Sequence, residues 1–187
     1  AQRGRWVKTP GRALFETMFD KLDFFEIIAE DLGVLTREAA WLRTECCFPG
    51  MRLLHFAFGG DGEHYHEPDA YGRHCVVYPG THDNDTTVGW FAGLRWQARR
   101  APKGKTTQYE RVLRYTGTNG REIHWDMIRL ALMSVAKTAI IPAQDLLGLG
   151  NEARMNLPAT ATGNWEWRLP RGRLNAALAR VERIRRR

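Results

Sequence analysis

The chain has 187 residues, is 43% hydrophobic and carries 28 Lys and Arg against 21 Asp and Glu, a formal net charge of +7. That is enough apolar material for a folded core, but no run approaches the roughly 18 consecutive apolar residues of a membrane helix. Seven of the arginines fall in residues 170–187 against a single acid, Glu182, so the remainder is nearly balanced at 21 basic to 20 acidic residues. A solvated face on a basic terminal helix accounts for this better than a nucleic-acid groove, and neither nucleic acid nor membrane is expected as a partner.

The chain begins at Ala1 without a charged stretch leading into an apolar one, so no secretory signal is expected. From Gly11 and Arg12 the residues Leu14, Phe15, Met18, Phe19 and Leu22 recur at helical spacing, and a strand is predicted from Phe24 to Ala29. Thr36 is placed to cap a helix running to about Glu45. Pro49-Gly50 then punctuates, and Met51 to Phe58 reads as a second strand. Cys46 and Cys47 close that helix and Cys75 opens the next strand. The three form neither a paired framework nor a CxxC motif, and with His74 they match no zinc spacing. Buried reduced thiols, hence a reducing compartment such as the cytoplasm, are expected.

A polar loop spans Gly59 to Arg73, a third strand Cys75 to Tyr78, and a helix Thr87 to Arg99. After an exposed connector at 101–107, helices are predicted near Gln108–Tyr115 and Glu122–Ala136, and a fourth strand, Thr138 to Ile141, stops at Pro142. A Gly-containing loop from Gly148 to Gly163 precedes a closing helix from about Leu174. Strands alternating with helices imply parallel pairing and an α/β fold. Four such units are half of an eight-stranded barrel, which takes about 250 residues when complete.

The unusual polar residues all follow strands: Glu30 and Asp31, Asp61, His82 and Asp83, Gln144 and Asp145. In β/α barrels that is the face where chemistry sits. An open doubly wound sheet also binds ligands at its strand ends, but no Gly-x-Gly-x-x-Gly loop opens a helix here. Asp83-Asn84-Asp85 has the look of a calcium-loop start, yet Val88 and Leu94 occupy the positions where that loop needs glycine and glutamate. No metal and no cofactor is expected. Asp85 is expected to cap the helix that follows it.

Taken together, Gly4-Arg5-Trp6-Val7-Lys8, Phe25-Glu26-Ile27-Ile28-Ala29-Glu30-Asp31, Phe56-Ala57-Phe58-Gly59-Gly60-Asp61-Gly62-Glu63, Gly80-Thr81-His82-Asp83-Asn84-Asp85, Gln144-Asp145-Leu146-Leu147-Gly148 and Gly163-Asn164-Trp165-Glu166-Trp167-Arg168 resemble the amylomaltases, the 4-alpha-glucanotransferases of glycoside hydrolase family 77. The resemblance implies the C-terminal half of a (β/α)8 TIM-type barrel, with residues 1–187 a single partial domain. It implies α-1,4-glucan or maltooligosaccharide as substrate and retaining transfer by carboxylates alone. By the same resemblance Glu30 is the general acid/base and Asp83 the carboxylate that steadies the oxocarbenium-like transition state. His82, Asp31, Phe58, Asp61 and Asn156 are its expected substrate contacts. The family's nucleophile lies in an Arg-x-Asp context on an earlier strand, and no Arg-x-Asp triplet occurs in residues 1–187. The missing N-terminal half of the barrel is therefore an expected partner, and the chain alone is expected to be inactive. Two loops depart from the family pattern: Glu67-Pro68-Asp69-Ala70-Tyr71 stands where a Pro-His-Asn-like element is usual, and Pro158-Ala159 where Pro-Gly is usual. The rival readings are a non-catalytic glucan-binding fragment, or orphan half-barrel, and a basic nucleic-acid module.

Overall fold

The structure is a computed structural model. It describes the chain apart from residues 1–3, 6, 24, 60–63, 173–174, 176–177, 179–181 and 183–187. Asp61 and most of the expected closing helix lie outside the described residues. The chain groups into two compact units, residues 1–51 and 52–187.

In the first unit, helix α1 (Gly11–Lys21) presents Phe15 and Phe19 to one side. Phe15 meets Phe48 edge-on with centroids 4.9 Å apart, and Phe19 stacks on Phe25 at 5.1 Å. Helix α2 (Arg37–Glu45) begins where expected, with the Thr36 hydroxyl accepting from the Ala39 amide at 3.2 Å and so satisfying one of the open donors of the first turn. Of the strand predicted from Phe24 to Ala29, Phe24 lies outside the described residues and the rest is not built as a strand. Residues 25–28 have no regular structure, and only Ala29 forms a parallel bridge, to Gly50. The in-out alternation of a strand is kept, with Phe25, Ile27 and Ala29 half-buried and Glu26, Ile28 and Glu30 exposed, but among the described residues the segment pairs only through that bridge.

Strand β1 (Gly50–Leu53) is shorter than predicted, because residues 54–58 turn instead of extending. The turn is pinned from outside: Arg111 donates from Nε to the Phe58 carbonyl at 2.8 Å and from its terminal nitrogen to that of Gly59 at 2.7 Å. In the second unit β2 (Cys75–Tyr78) is buried and pairs in parallel with β3 (Thr138–Ala139), Val76 opposite Thr138 and Val77 opposite Ala139. The sheet order is β1-β2-β3.

Helices α3 (Thr87–Ala98), α4 (Gln108–Thr116) and α5 (Ile123–Met133) cover this sheet with Phe91 and Leu94, Val112, and Ile123, Met127 and Ala131, which join Leu54, Phe58, Tyr71, Cys75 and Val77 in one apolar cluster. Helix α4 opens on a capping box, Thr107 with Glu110, and closes on Gly117 in the left-handed region at φ 65°. A short helix α6 (Ala143–Leu146) follows Pro142. The long loop before β2 is folded rather than slack: the Leu53 amide donates to Nδ1 of buried His66 at 3.1 Å, and the Tyr71 hydroxyl to the His66 carbonyl at 2.8 Å. Among the described residues no helix is long and apolar enough to cross a membrane. No disulfide joins the cysteines; Cys75 is buried as expected, whereas Cys47 is exposed on a backbone of φ 52°.

Candidate active site

Strand β2 ends at Tyr78, and the chain leaves it through Pro79 and Gly80 into a tight turn. Asn84 closes that turn: its Oδ1 accepts from the Thr81 amide at 2.8 Å and from the Thr81 hydroxyl at 3.0 Å, and its own amide donates to the Thr81 carbonyl at 3.2 Å. The residues so held at the tip are His82 and Asp83, with side chains 52% and 49% exposed and the His82 Nε2 3.3 Å from Asp83 Oδ1. A turn locked from within presents two polar side chains to solvent at little further cost in side-chain freedom.

The loop after β3 grips this turn from the other side. Asn156 Nδ2 donates to Asp83 Oδ1 at 2.6 Å, the Asn156 amide to the His82 carbonyl at 3.1 Å, and Arg154 to the Asp83 carbonyl at 2.8 Å. Arg154 also donates from Nε to the Asn156 carbonyl at 2.8 Å, so one guanidinium joins both loops. The Trp165 ring lies 5.0 Å from that of His82, half exposed, on a backbone of φ 64° that its amide holds by donating to the Met155 carbonyl at 2.7 Å. Gly80, His82, Asp85, Gln144, Asp145, Arg154, Met155 and Trp165 are among the residues lining a cavity of about 180 Å³ at this end of β2 and β3.

Asp145, on α6, is 1% exposed and accepts from the Thr87 amide at 2.8 Å. Burial pushes its carboxyl up to about 6, the hydrogen bonds of Thr87 oppose the shift, and the charge of Asp85 adds to it. Asp85 is not the cap of α3. Thr86 is, its hydroxyl accepting from the Gly89 amide at 3.1 Å, while Asp85 accepts from the Thr86 amide at 2.7 Å and from Asn151 at 2.8 Å. Its carboxylate still sits at the positive end of the helix, where a negative charge is favoured.

The first unit holds the other two predicted carboxylates. Glu30 is exposed immediately after the Ala29 bridge. Asp31 is 6% exposed and turned inward: it accepts from the Met51 amide at 2.6 Å and from Arg43 at 2.7 Å, which places it as an anchor of β1 rather than as an open sugar contact. Phe58 is likewise placed otherwise than expected. Its ring is 4% exposed and packs edge-on to Tyr115 at 5.4 Å, leaving no free face for a sugar to stack on. Arg154 and Trp165 are the residues sequence reasoning passed over. Arg154 stands two residues before the expected contact Asn156, and Trp165 lies in the Gly163-Asn164-Trp165 segment that carries the resemblance; these positions were the available signals.

The fold and this cluster define an α/β protein with an imidazole, an amide and carboxylates gathered at the ends of parallel strands. The family described as 4-alpha-glucanotransferase, glycoside hydrolase family 77, matches residues 1–175, and the chain belongs to it. It is 48% identical over 178 residues to a 4-alpha-glucanotransferase of Synechocystis sp., covering 94% of this chain and 33% of that protein. It is 44% identical over 171 residues to the chloroplastic/amyloplastic enzyme of Arabidopsis thaliana, covering 91% and 28%. The amylomaltase from Streptococcus agalactiae, solved in complex with acarbose, superposes with a TM-score of 0.82 at 32% identity, over 98% of this chain and 36% of that one. The chain thus spans about a third of the length of the relatives it matches.

Proposed function

We propose that residues 1–187 carry the acid/base and the sugar-binding wall of a 4-alpha-glucanotransferase site, which moves α-1,4-glucan segments between maltooligosaccharides with retention. The observation that carries this reading is the Asp83 carboxylate, held by Asn156 and flanked by His82 and Trp165 at the mouth of a strand-end cavity. The chain then supplies strands of the C-terminal half of a (β/α)8 barrel, and the remaining strands come from the part of the relatives' length that this chain does not span. The setting is starch or glycogen metabolism in a reducing compartment such as the cytoplasm.

Retaining transfer needs two carboxyl groups about 5 to 5.5 Å apart, one to attack the anomeric carbon and one to protonate the departing oxygen. Glu30 is the second. Its proton passes to the glycosidic oxygen as the attacking carboxylate forms the covalent glucosyl-enzyme. Its carboxylate then takes the proton of the acceptor's hydroxyl as that oxygen displaces the enzyme. Asp83 opposes the positive charge that develops on the ring and accepts from sugar hydroxyls, with Asn156 fixing which of its oxygens stays free. His82 hydrogen-bonds the same sugar, and the half-exposed Trp165 offers the apolar face that Phe58 does not. Asp61, outside the described residues, remains assigned to the substrate loop by resemblance.

With no Arg-x-Asp triplet in residues 1–187, the attacking carboxylate is assigned to that unspanned part. The test is chromatography of maltotriose products. The isolated chain should yield neither glucose nor maltopentaose above background, and adding the upstream half of a family member should restore both. Disproportionation by the isolated chain, abolished by Glu30→Gln, would show that the nucleophile lies within residues 1–187 and that the roles are misassigned.

A further inference from the structure

His55 takes no part in the chemistry above, yet its ring is 3% exposed and touches the elements that end at the site. Its amide donates to the Pro79 carbonyl at 3.0 Å, immediately after β2. The ring stacks on Trp90 of α3, with centroids 4.3 Å and planes 10° apart. Nε2 lies 3.0 Å from the hydroxyl of Thr87, whose amide in turn donates to Asp145. The other ring nitrogen, Nδ1, is buried without a hydrogen-bond partner among the described residues and faces Gly80: a Cβ added there would stand 2.7 Å from Nδ1 and 2.8 Å from the neighbouring Cε1. Gly80 is glycine because the imidazole occupies that space.

Burial holds the ring neutral, its pKa pushed down to about 3. A buried nitrogen without a partner is unfavourable, and an aliphatic side chain would avoid it. What the imidazole offers instead is a rigid plane with one directional bond. We propose that His55 is a positioning residue for the transfer reaction: its ring, flat against Trp90 and tied to Thr87, sets the height of Gly80 and with it the placement of His82 and Asp83 against the sugar. This rests on the glucan-transfer reading of that turn. Because Asn84 locks residues 81–84 together, a displaced Gly80 carries the turn with it. Misplacing a catalytic group by 1 Å costs on the order of 100-fold in rate.

The experiment measures kcat, KM and thermal melts on maltotriose, using the active enzyme that contains these residues. The variants are His55→Leu, His55→Gln, Gly80→Ala, and Gly80→Ala combined with His55→Ala, with Asp83→Asn as reference. His55→Leu should lower kcat at least about tenfold while KM moves less, and His55→Gln, whose amide can keep the bond to Thr87, should recover part of the loss. Gly80→Ala should be as harmful as His55→Leu, and removing the ring in the double variant should restore activity above that of Gly80→Ala alone. Should His55→Leu not fold, His55→Gln and the Gly80 pair decide by the same readout. A folded His55→Leu with the parent's kcat, or a Gly80→Ala defect indifferent to loss of the ring, overturns the proposal. Failure of the parent enzyme to disproportionate overturns the glucan-transfer reading instead, whereas an active parent, a dead Asp83→Asn and fully active His55 variants sink this inference alone.

Discussion

Replacing Asn156 by aspartate tests the grip on Asp83 most sharply, because it exchanges a donor for a like charge at a contact of 2.6 Å. Losing the amide donor alone, as in Asn156→Ala, removes one hydrogen bond to a charged group, about 1 kcal/mol where the acceptor is half exposed. In Asn156→Asp the two carboxylates also repel. At 4 Å that costs between about 1 kcal/mol in water and about 4 kcal/mol near a protein surface, and the 49% exposure of Asp83 favours the lower figure. The sum is about 2 kcal/mol, or roughly 30-fold in kcat/KM, against roughly fivefold for Asn156→Ala. The repulsion carries its own signature. It raises the pKa of one member of the pair, so that as pH falls a proton is taken up, and the new carboxyl O–H can donate to Asp83 as the amide did. The defect of Asn156→Asp should therefore be largest at pH 7 to 8 and shrink toward pH 5. Steady-state kinetics on maltotriose across that range decide it: a variant no worse than Asn156→Ala, or a ratio to the parent enzyme that ignores pH, would refute the reasoning.

Asp145→Asn should remove a pH dependence of stability. The folded carboxyl, near 6, binds its proton more tightly than in the unfolded chain, so the stability it contributes is full below about pH 4 and lost as pH rises through about 6. Melting temperatures of the parent and of Asp145→Asn should accordingly diverge between pH 4 and pH 7, with the parent losing ground; parallel curves would show that the carboxyl is not perturbed. Ala159→Gly should raise stability by about 0.5 to 1 kcal/mol, because alanine here occupies the left-handed region at φ 66°. An unchanged or lower melting temperature would argue that the loop is not strained. Asp31→Leu should lower stability by about 2 to 3 kcal/mol by stranding Arg43 and the Met51 amide. A raised KM at unchanged stability would return Asp31 to the substrate-binding role.

Elements with a local signature were readable from sequence. Helix α2 announced its start with Thr36, α4 followed a threonine three residues ahead of Glu110, and β2 is a short apolar run closed by Pro79-Gly80; all three stand where the pattern put them. Elements whose form depends on distant partners were not. Residues 25–28 keep strand-like alternation but find no described strand to pair with, and 54–58 turn instead of extending, ending at the Phe58 and Gly59 carbonyls that Arg111, more than fifty residues on, holds. The site divides in the same way. His82, Asp83 and Asn156 come together, although seventy-three residues separate the last two, because the motifs lie at the ends of neighbouring parallel strands. Which way a side chain turns is not written in a motif, and so the inward Asp31 and the buried Phe58 ring could only be seen in three dimensions. Asp85 misled because two adjacent residues were both able to cap, and the hydroxyl of Thr86 is the one that reaches the Gly89 amide.

A proton donated by Glu30 to the leaving oxygen would make the effect of removing that carboxyl depend on the leaving group. In the active enzyme that contains these residues, Glu30→Gln should lower turnover of maltotriose by at least about 100-fold, the low end of general acid/base contributions. An α-maltosyl fluoride, whose leaving group needs no proton, should restore the first step, and the maltosyl-enzyme should then accumulate in rapid-quench mass spectra. Near-normal turnover of maltotriose by Glu30→Gln, or an equal loss on both substrates, would contradict the assignment.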